Sequence, residues 1–218
     1  MKTLLLFLFT SCMLHAEAPT EKPVSAKSLP EISLERLIQG NQRFMTDTST
    51  HPDRTAERRE ELTAKQEPFA AILGCSDSRV SPEILFDQGI GDLFIVRVAG
   101  NVVGPIELDS IEYSAIYLHS SLIVVLGHED CGAVKAVMAG QTKDIEAVAS
   151  LIEPAVKKAE KQPGNRLENT IKSNVDSVVE QLKKSPALQQ LIKEKKLLVV
   201  GGYYNFHSGK VEFFQPNK

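Results

Sequence analysis

Four short apolar runs, at residues 69–74, 92–98, 121–127 and 197–204, constrain this chain more than any other feature. Each is aliphatic or β-branched along its length instead of alternating with polar residues. Continuous apolarity over so few residues predicts strands covered on both faces, as in a parallel sheet between helices. The segments between them, 107–119, 132–140, 144–160 and 167–183 continuing past Pro186 to 195, carry helical spacing and supply that cover. This alternation predicts an α/β fold with a predominantly parallel β-sheet flanked by helices. Ahead of it, apolar Leu34, Leu37, Ile38, Phe44 and Met45, followed by a polar segment over 55–65, predict an N-terminal helical arm that is free to lie across a partner subunit.

A chain of 218 residues suffices for one good core. Its net charge of −3 and lack of a long basic run argue against nucleic acid or an anionic membrane as partner, which leaves a small substrate. The first residues read differently: a basic Met1-Lys2-Thr3, an apolar stretch over 4–9 and an A-x-A site at Ala16-Glu17-Ala18 predict a signal peptide over 1–18. That apolar stretch is shorter than the about 20 residues a bilayer requires. Lipidation at Cys12 is an alternative, disfavoured by Phe9. The expectation is an exported protein, periplasmic or secreted, without a membrane attachment after cleavage. A polar, Pro-rich leader over 19–30 then precedes a single domain over 31–218.

In an open parallel sheet, functional groups gather where strands run out into loops. Cys75, Asp77 and Arg79 follow the first apolar run, Arg97, Gly100 and Asn101 the second, and His128, Asp130 and Cys131 the third. The fourth, with Tyr203, Tyr204, Asn205 and His207, brings no evident ligand set. Cys75, His128 and Cys131 offer two thiolates and one imidazole, a set suited to zinc with one position left open. In an exported chain the same two cysteines also suit a single disulfide, with His128 merely lining its turn. Asp77 beside Arg79 is either an ion pair closing the loop or a carboxylate kept ionised to orient a water on the metal. The residues alone leave both pairs of readings open.

Taken together, Cys75-Ser76-Asp77-Ser78-Arg79-Val80, Phe86-Asp87-Gln88-Gly89 with Gly91-Asp92-Leu93-Phe94, Arg97-Val98-Ala99-Gly100-Asn101, and Gly127-His128 with Cys131-Gly132 resemble the β-class carbonic anhydrases. The resemblance runs from about Leu34 to the C-terminus. It implies that Cys75, His128 and Cys131 bind one Zn2+ per subunit and that Asp77 and Arg79 form the catalytic dyad. The reaction implied is reversible hydration of carbon dioxide to bicarbonate and a proton by a zinc-bound hydroxide. Carbonyl sulfide and carbon disulfide are alternative substrates of such sites. The resemblance further implies that Gln66 orients substrate and that the Gly132 backbone donates a hydrogen bond; Ile72, Val80, Phe86 and Val102 would wall the site, and each suits plain core at least as well. A homodimer or homotetramer embraced by the N-terminal helices is expected. One departure stands out: Ile72 occupies a position where members with a bicarbonate-regulated closed state carry tryptophan, although Arg97 and Tyr204 match that pattern. An open site, with Asp77 off the metal near neutral pH, is therefore expected.

Overall fold

The strands at Ala70–Gly74 and Leu122–His128 are buried at every residue, and their alternate side chains enter two different cores. The computed structural model describes residues 27–214. In chain order its first half comprises α1 (Leu29–Met45), α2 (Ala56–Glu61), β1 (Ala70–Gly74), α3 (Pro82–Leu85), β2 (Leu93–Arg97), a 3-10 turn (Ala99–Asn101) and α4 (Pro105–Tyr117). The second half comprises β3 (Leu122–His128), α5 (Gly132–Met138), α6 (Glu146–Ala159), α7 (Arg166–Lys184), α8 (Pro186–Lys193), β4 (Leu198–Tyr204) and β5 (Val211–Phe214). The sheet order is β2-β1-β3-β4-β5. Its first four strands are parallel, and β5 pairs antiparallel with β4.

Ala71, Leu73, Ile123 and Val125 point to one face of the sheet, where Ile111 of α4, Val175, Val179 and Leu182 of α7 and Leu188 of α8 cover them. Ala70, Ile72, Leu122, Val124 and Leu126 point to the other, under Leu37 of α1 and Leu85 of α3. This period-two division is what continuous apolar strands with two dry faces require. Gly127 in β3 lets α7 sit close: a Cβ there would lie 2.7 Å from Val175 and 3.0 Å from Ile171. The fold class is the one expected from the sequence, with differences at its margins. β2 is an edge strand and only half-buried. β5 was not expected, since four residues of Val-Glu-Phe-Phe carry too little pattern to stand out. The expected helix over 167–195 breaks at Ser185, whose backbone is extended and whose hydroxyl caps α8 just before Pro186.

The expected signal peptide over 1–18 and the leader as far as residue 26 lie outside the described residues, and α1 starts at Leu29, inside the span read as leader. The arm packs on its own chain. Leu37 is fully buried, and Asn41 donates to the Leu85 carbonyl at 3.1 Å and the Gly209 carbonyl at 2.9 Å while accepting from the Val211 N–H at 2.8 Å. Among the described residues no helix is long and apolar enough to cross a membrane.

Asp87 ties this arm down. It is buried at a left-handed backbone position, φ 45°. It accepts from Arg43 Nε at 2.6 Å, from the backbone N–H groups of Thr50 and His51 at 2.9 Å each, and from the Thr50 hydroxyl at 3.1 Å. Burial pushes its carboxyl up, but these donors outweigh burial and hold it well below the usual carboxylate range. With its folded-state value depressed, the carboxylate contributes its full stability above the unfolded value of about 3.9, and that contribution is lost as pH falls from there through the lower folded-state value. Asp87→Asn keeps the shape and the left-handed preference but removes the charge. Urea unfolding near neutral pH is expected to show a loss of about 3 kcal/mol, the low end for breaking a buried pair because Arg43 keeps part of its side chain in water. The variant should also unfold with less acid dependence below about pH 4. A loss under about 1 kcal/mol would show the contact to be dispensable.

Candidate active site

β1 and β3 are neighbours in register, Gly74 opposite Leu126, so the loops leaving them emerge side by side. Cys75 follows β1, His128 ends β3 and Cys131 caps the N-terminus of α5. One ligand atom from each lies within 4.8 Å of the others. All three side chains are buried, at 4%, 0% and 1% exposure, and both cysteines are free thiols in the structure.

His128 is set up to receive a cation. Its Nδ1 is 2.8 Å from the Glu129 carbonyl, an acceptor, so the proton resides on Nδ1. Nε2 is then a bare lone pair, buried and without a hydrogen-bond partner. Such an atom costs free energy unless something binds it. The thiols point the same way. The Cys131 thiol, bonding to Cys75, draws Cys75 down to about 4 against the opposing effect of burial. The same partnership with Cys75, and burial, push Cys131 far up. The pair gives up its first proton easily and its second hardly at all, because two adjacent thiolates repel. A divalent cation held among the three atoms would remove that repulsion and give Nε2 a partner. Two thiolates and an imidazole in a buried three-ligand group fit zinc better than magnesium or calcium, which take oxygen ligands.

Asp77 stands beside this group, its Oδ2 3.9 Å from His128 Nε2. Arg79 grips it in a fork: Nε donates to Oδ1 at 2.9 Å, Nη2 to Oδ2 at 2.8 Å, and the Arg79 backbone N–H to Oδ1 at 3.0 Å. These bonds hold the Asp77 carboxyl well below the usual carboxylate range despite partial burial. Arg79 is itself clamped. Its guanidinium lies 4.3 Å from the centre of the Phe206 ring and donates to the Asp130 carbonyl at 3.4 Å. Phe206 also packs, tilted, against His128, with centroids 5.5 Å apart. Arg97 supports the loop from behind, donating to the carbonyls of Cys75 at 2.9 Å and Asp77 at 2.7 Å. A groove of about 720 Å³ opens from Arg79 and Asp130 along Tyr203, Phe206 and Lys210.

Five of the seven residues named from the sequence, Cys75, Asp77, Arg79, His128 and Cys131, therefore come together. Gly132 begins α5 next to them, exposed, with open space where a Cβ would stand. Gln66 does not join them within this chain. It is exposed ahead of β1, whereas Cys75 follows the far end of that strand, and five residues of strand span roughly 16 Å. Ile72, Val80 and Phe86 are fully buried in the core under α1 and α3, so they do not wall the site. Val102 does share the cluster of Cys75 and Cys131. Phe206 and Glu129 escaped the sequence reading. Glu129 accepts from Asn205 Nδ2 at 3.0 Å and the Phe206 N–H at 2.8 Å, which places Phe206 against Arg79. The convergence of strand ends was the available clue, since Phe206 lies two residues past β4.

Residues 70–211 match the family model described as carbonic anhydrase. The chain is 38% identical over 192 residues to a carbonic anhydrase of Mycolicibacterium smegmatis, covering 85% of this chain and 93% of that one. It is 37% identical over 191 residues to carbonic anhydrase 2 of Mycobacterium tuberculosis, covering 83% and 91%. The solved β-carbonic anhydrase CafA of Aspergillus fumigatus superposes with a TM-score of 0.68 at 25% identity, over 85% of this chain and 92% of that one. A match that spans the sheet and both strand-end loops, at these identities and on the same fold, means that the chain belongs to the carbonic anhydrases, in their β class, and is an enzyme of that family.

Proposed function

We propose that the enzyme is zinc-dependent, that Cys75, His128 and Cys131 hold one Zn2+ per subunit, and that Asp77 and Arg79 are its catalytic dyad in the interconversion of carbon dioxide and bicarbonate. The observation that carries this is the buried Nε2 of His128, without a hydrogen-bond partner, in a group whose three ligand atoms, one each from His128, Cys75 and Cys131, lie within 4.8 Å of one another. When bound there, zinc supplies a Lewis acid that makes a water nucleophilic near neutral pH. The chain's own groups do the rest. Asp77, held ionised by Arg79, can only accept hydrogen bonds, so a hydroxyl beside Oδ2 turns its hydrogen toward the carboxylate and a lone pair toward carbon dioxide. Arg79 fixes the direction of that acceptor, and Phe206 and Asp130 fix Arg79.

The intact fork between Arg79 and Asp77 supports an open site, because an Asp77 committed to Arg79 through both oxygens stays off the metal. Arg97 is likewise committed to two loop carbonyls. A crystal structure of the zinc-loaded protein near neutral pH is expected to show Asp77 on Arg79; Asp77 coordinated to zinc would overturn the open reading. Purified protein is expected to contain one zinc per chain and to hydrate carbon dioxide in a stopped-flow assay. Chelation should abolish that activity and zinc should restore it. Full activity in metal-free protein would refute the proposal.

A homo-oligomer, dimer or tetramer, is part of the same reading. Leu29, Ile32 and Ile38 on α1 and Ile106 and Tyr117 on α4 are exposed at 47–78%, more apolar surface than isolated helices of one subunit need present. Light scattering on the mature protein tests it. Export to the periplasm or medium is proposed from the first 18 residues, and N-terminal sequencing of the exported form tests that.

A further inference from the structure

Cys75 is held at its sulfur as well as at its carbonyl. The Gly100 N–H donates to Cys75 Sγ at 3.3 Å in a buried contact. Gly100 adopts a left-handed conformation, φ 71° and ψ 15°, and the next residue, Asn101, is also left-handed at φ 43°. Two successive residues in that region make a tight, unusual turn, and only glycine takes the first without steric cost. A side chain at Gly100 would also strike Ile152, whose Cδ1 lies 2.7 Å from where a Cβ would stand. Such a turn is held in place from outside, and the contact that does so comes from a distant helix. Asn174 of α7, 1% exposed, donates from Nδ2 to the Gly100 carbonyl at 2.8 Å.

Asn174 stands where packing alone would favour an aliphatic residue. Its helix neighbours Ile171 and Val175 bury their side chains against Gly127. Burying an amide among them is costly unless it is bonded, and the carbonyl of Gly100 is the acceptor it meets. Fixing that carbonyl orients the peptide that follows Gly100, and the tight left-handed geometry of Gly100, φ 71° and ψ 15°, relates that peptide to the one whose N–H reaches the sulfur. We propose that Asn174 is a positioning residue for Cys75: through the Gly100 backbone it supplies the Cys75 sulfur with a hydrogen bond and so tunes that sulfur as a metal ligand. This rests on the zinc reading above. A donor to a ligating sulfur stabilises its charge and fixes its orientation, and loss of such outer partners typically weakens metal binding about 10–100-fold.

The test uses Asn174→Asp, nearly isosteric but with an acceptor facing the Gly100 carbonyl, and Asn174→Leu, which fills the volume without a donor. Val178→Ala, in the buried core one turn further along α7, serves as a control for destabilisation without contact to the turn. Zinc affinity is read by chelator competition at a fixed neutral pH, and cobalt-loaded protein reports the thiolate-to-metal charge-transfer band. Both Asn174 variants are expected to bind zinc about 10–100-fold more weakly and to move the cobalt band, while Val178→Ala lowers the melting temperature and leaves both unchanged. Folded Asn174 variants with zinc affinity within about twofold of wild type and an unmoved cobalt band would overturn the proposal. Equal weakening by Val178→Ala would overturn it too. A wild-type protein that binds no zinc would instead retire the zinc reading, so the two failures are distinguishable.

Discussion

Cys131→Ser is expected to leave a folded protein with no retained zinc and carbon dioxide hydration lowered by at least about 10³-fold. A Lewis acid at the reacting oxygen is worth several kcal/mol, and each 1.4 kcal/mol is tenfold in rate. The substitution separates chemistry from folding, because Cys131 is the N-cap of α5 and serine is a preferred residue there. The helix is kept, while a soft thiolate is exchanged for an alcohol that does not ionise near neutral pH. Metal content by elemental analysis and turnover by stopped flow check the two halves separately. Retained zinc with wild-type turnover would remove Cys131 from the ligand set.

Asp77→Asn is expected to keep zinc, since Asp77 stands outside the group of three ligand atoms, and to lower kcat/KM by about 10²–10³-fold, the range for losing one preorganised hydrogen-bonding group at the reacting oxygen. The amide keeps the shape of the side chain. It loses the charge that Arg79 grips and offers a donor where only an acceptor belongs. The pH profile adds a second check. Because Arg79 holds Asp77 well below the usual carboxylate range, Asp77 stays ionised through mildly acidic conditions. Any activity change in the wild type between about pH 5 and 8 then belongs to another group, and Asp77→Asn should lower the rate across that range without moving the midpoint. A variant with unaltered kcat/KM would leave Asp77 as a structural ion pair.

Much of the site was legible because its parts are short-range. Cys75, Asp77 and Arg79 lie within five residues, and His128 and Cys131 within four, each just past an apolar run. Strand ends in a parallel sheet converge on one edge, so the groups on them meet whatever the details of packing. What stayed open was the state of the thiols, since a disulfide and a zinc site need the same two residues. The lone pair of His128 Nε2 favours the metal, and it depends on a carbonyl one residue away whose orientation no pattern in the sequence states. The other choices the pattern left undecided have the same origin. Ile72, Val80 and Phe86 carry the apolarity that a substrate wall and a core share, and only the position of α1 and α3 over them makes them core. Gln66 is close in sequence to Cys75 but is separated from it by the full length of β1.

By itself the sequence determined the α/β class, the four parallel strands and the identities of the cysteines, histidine, aspartate and arginine at their ends, because period and spacing along a chain are local quantities. Only the tertiary structure decided how those groups are held: Asn174 on Gly100 across 74 residues, Gly100 on Cys75 across 25, and Asn205 on Glu129 across 76. Hydrogen bonds of that reach depend on where helices settle against a sheet, and side-chain volumes across the whole core set that position.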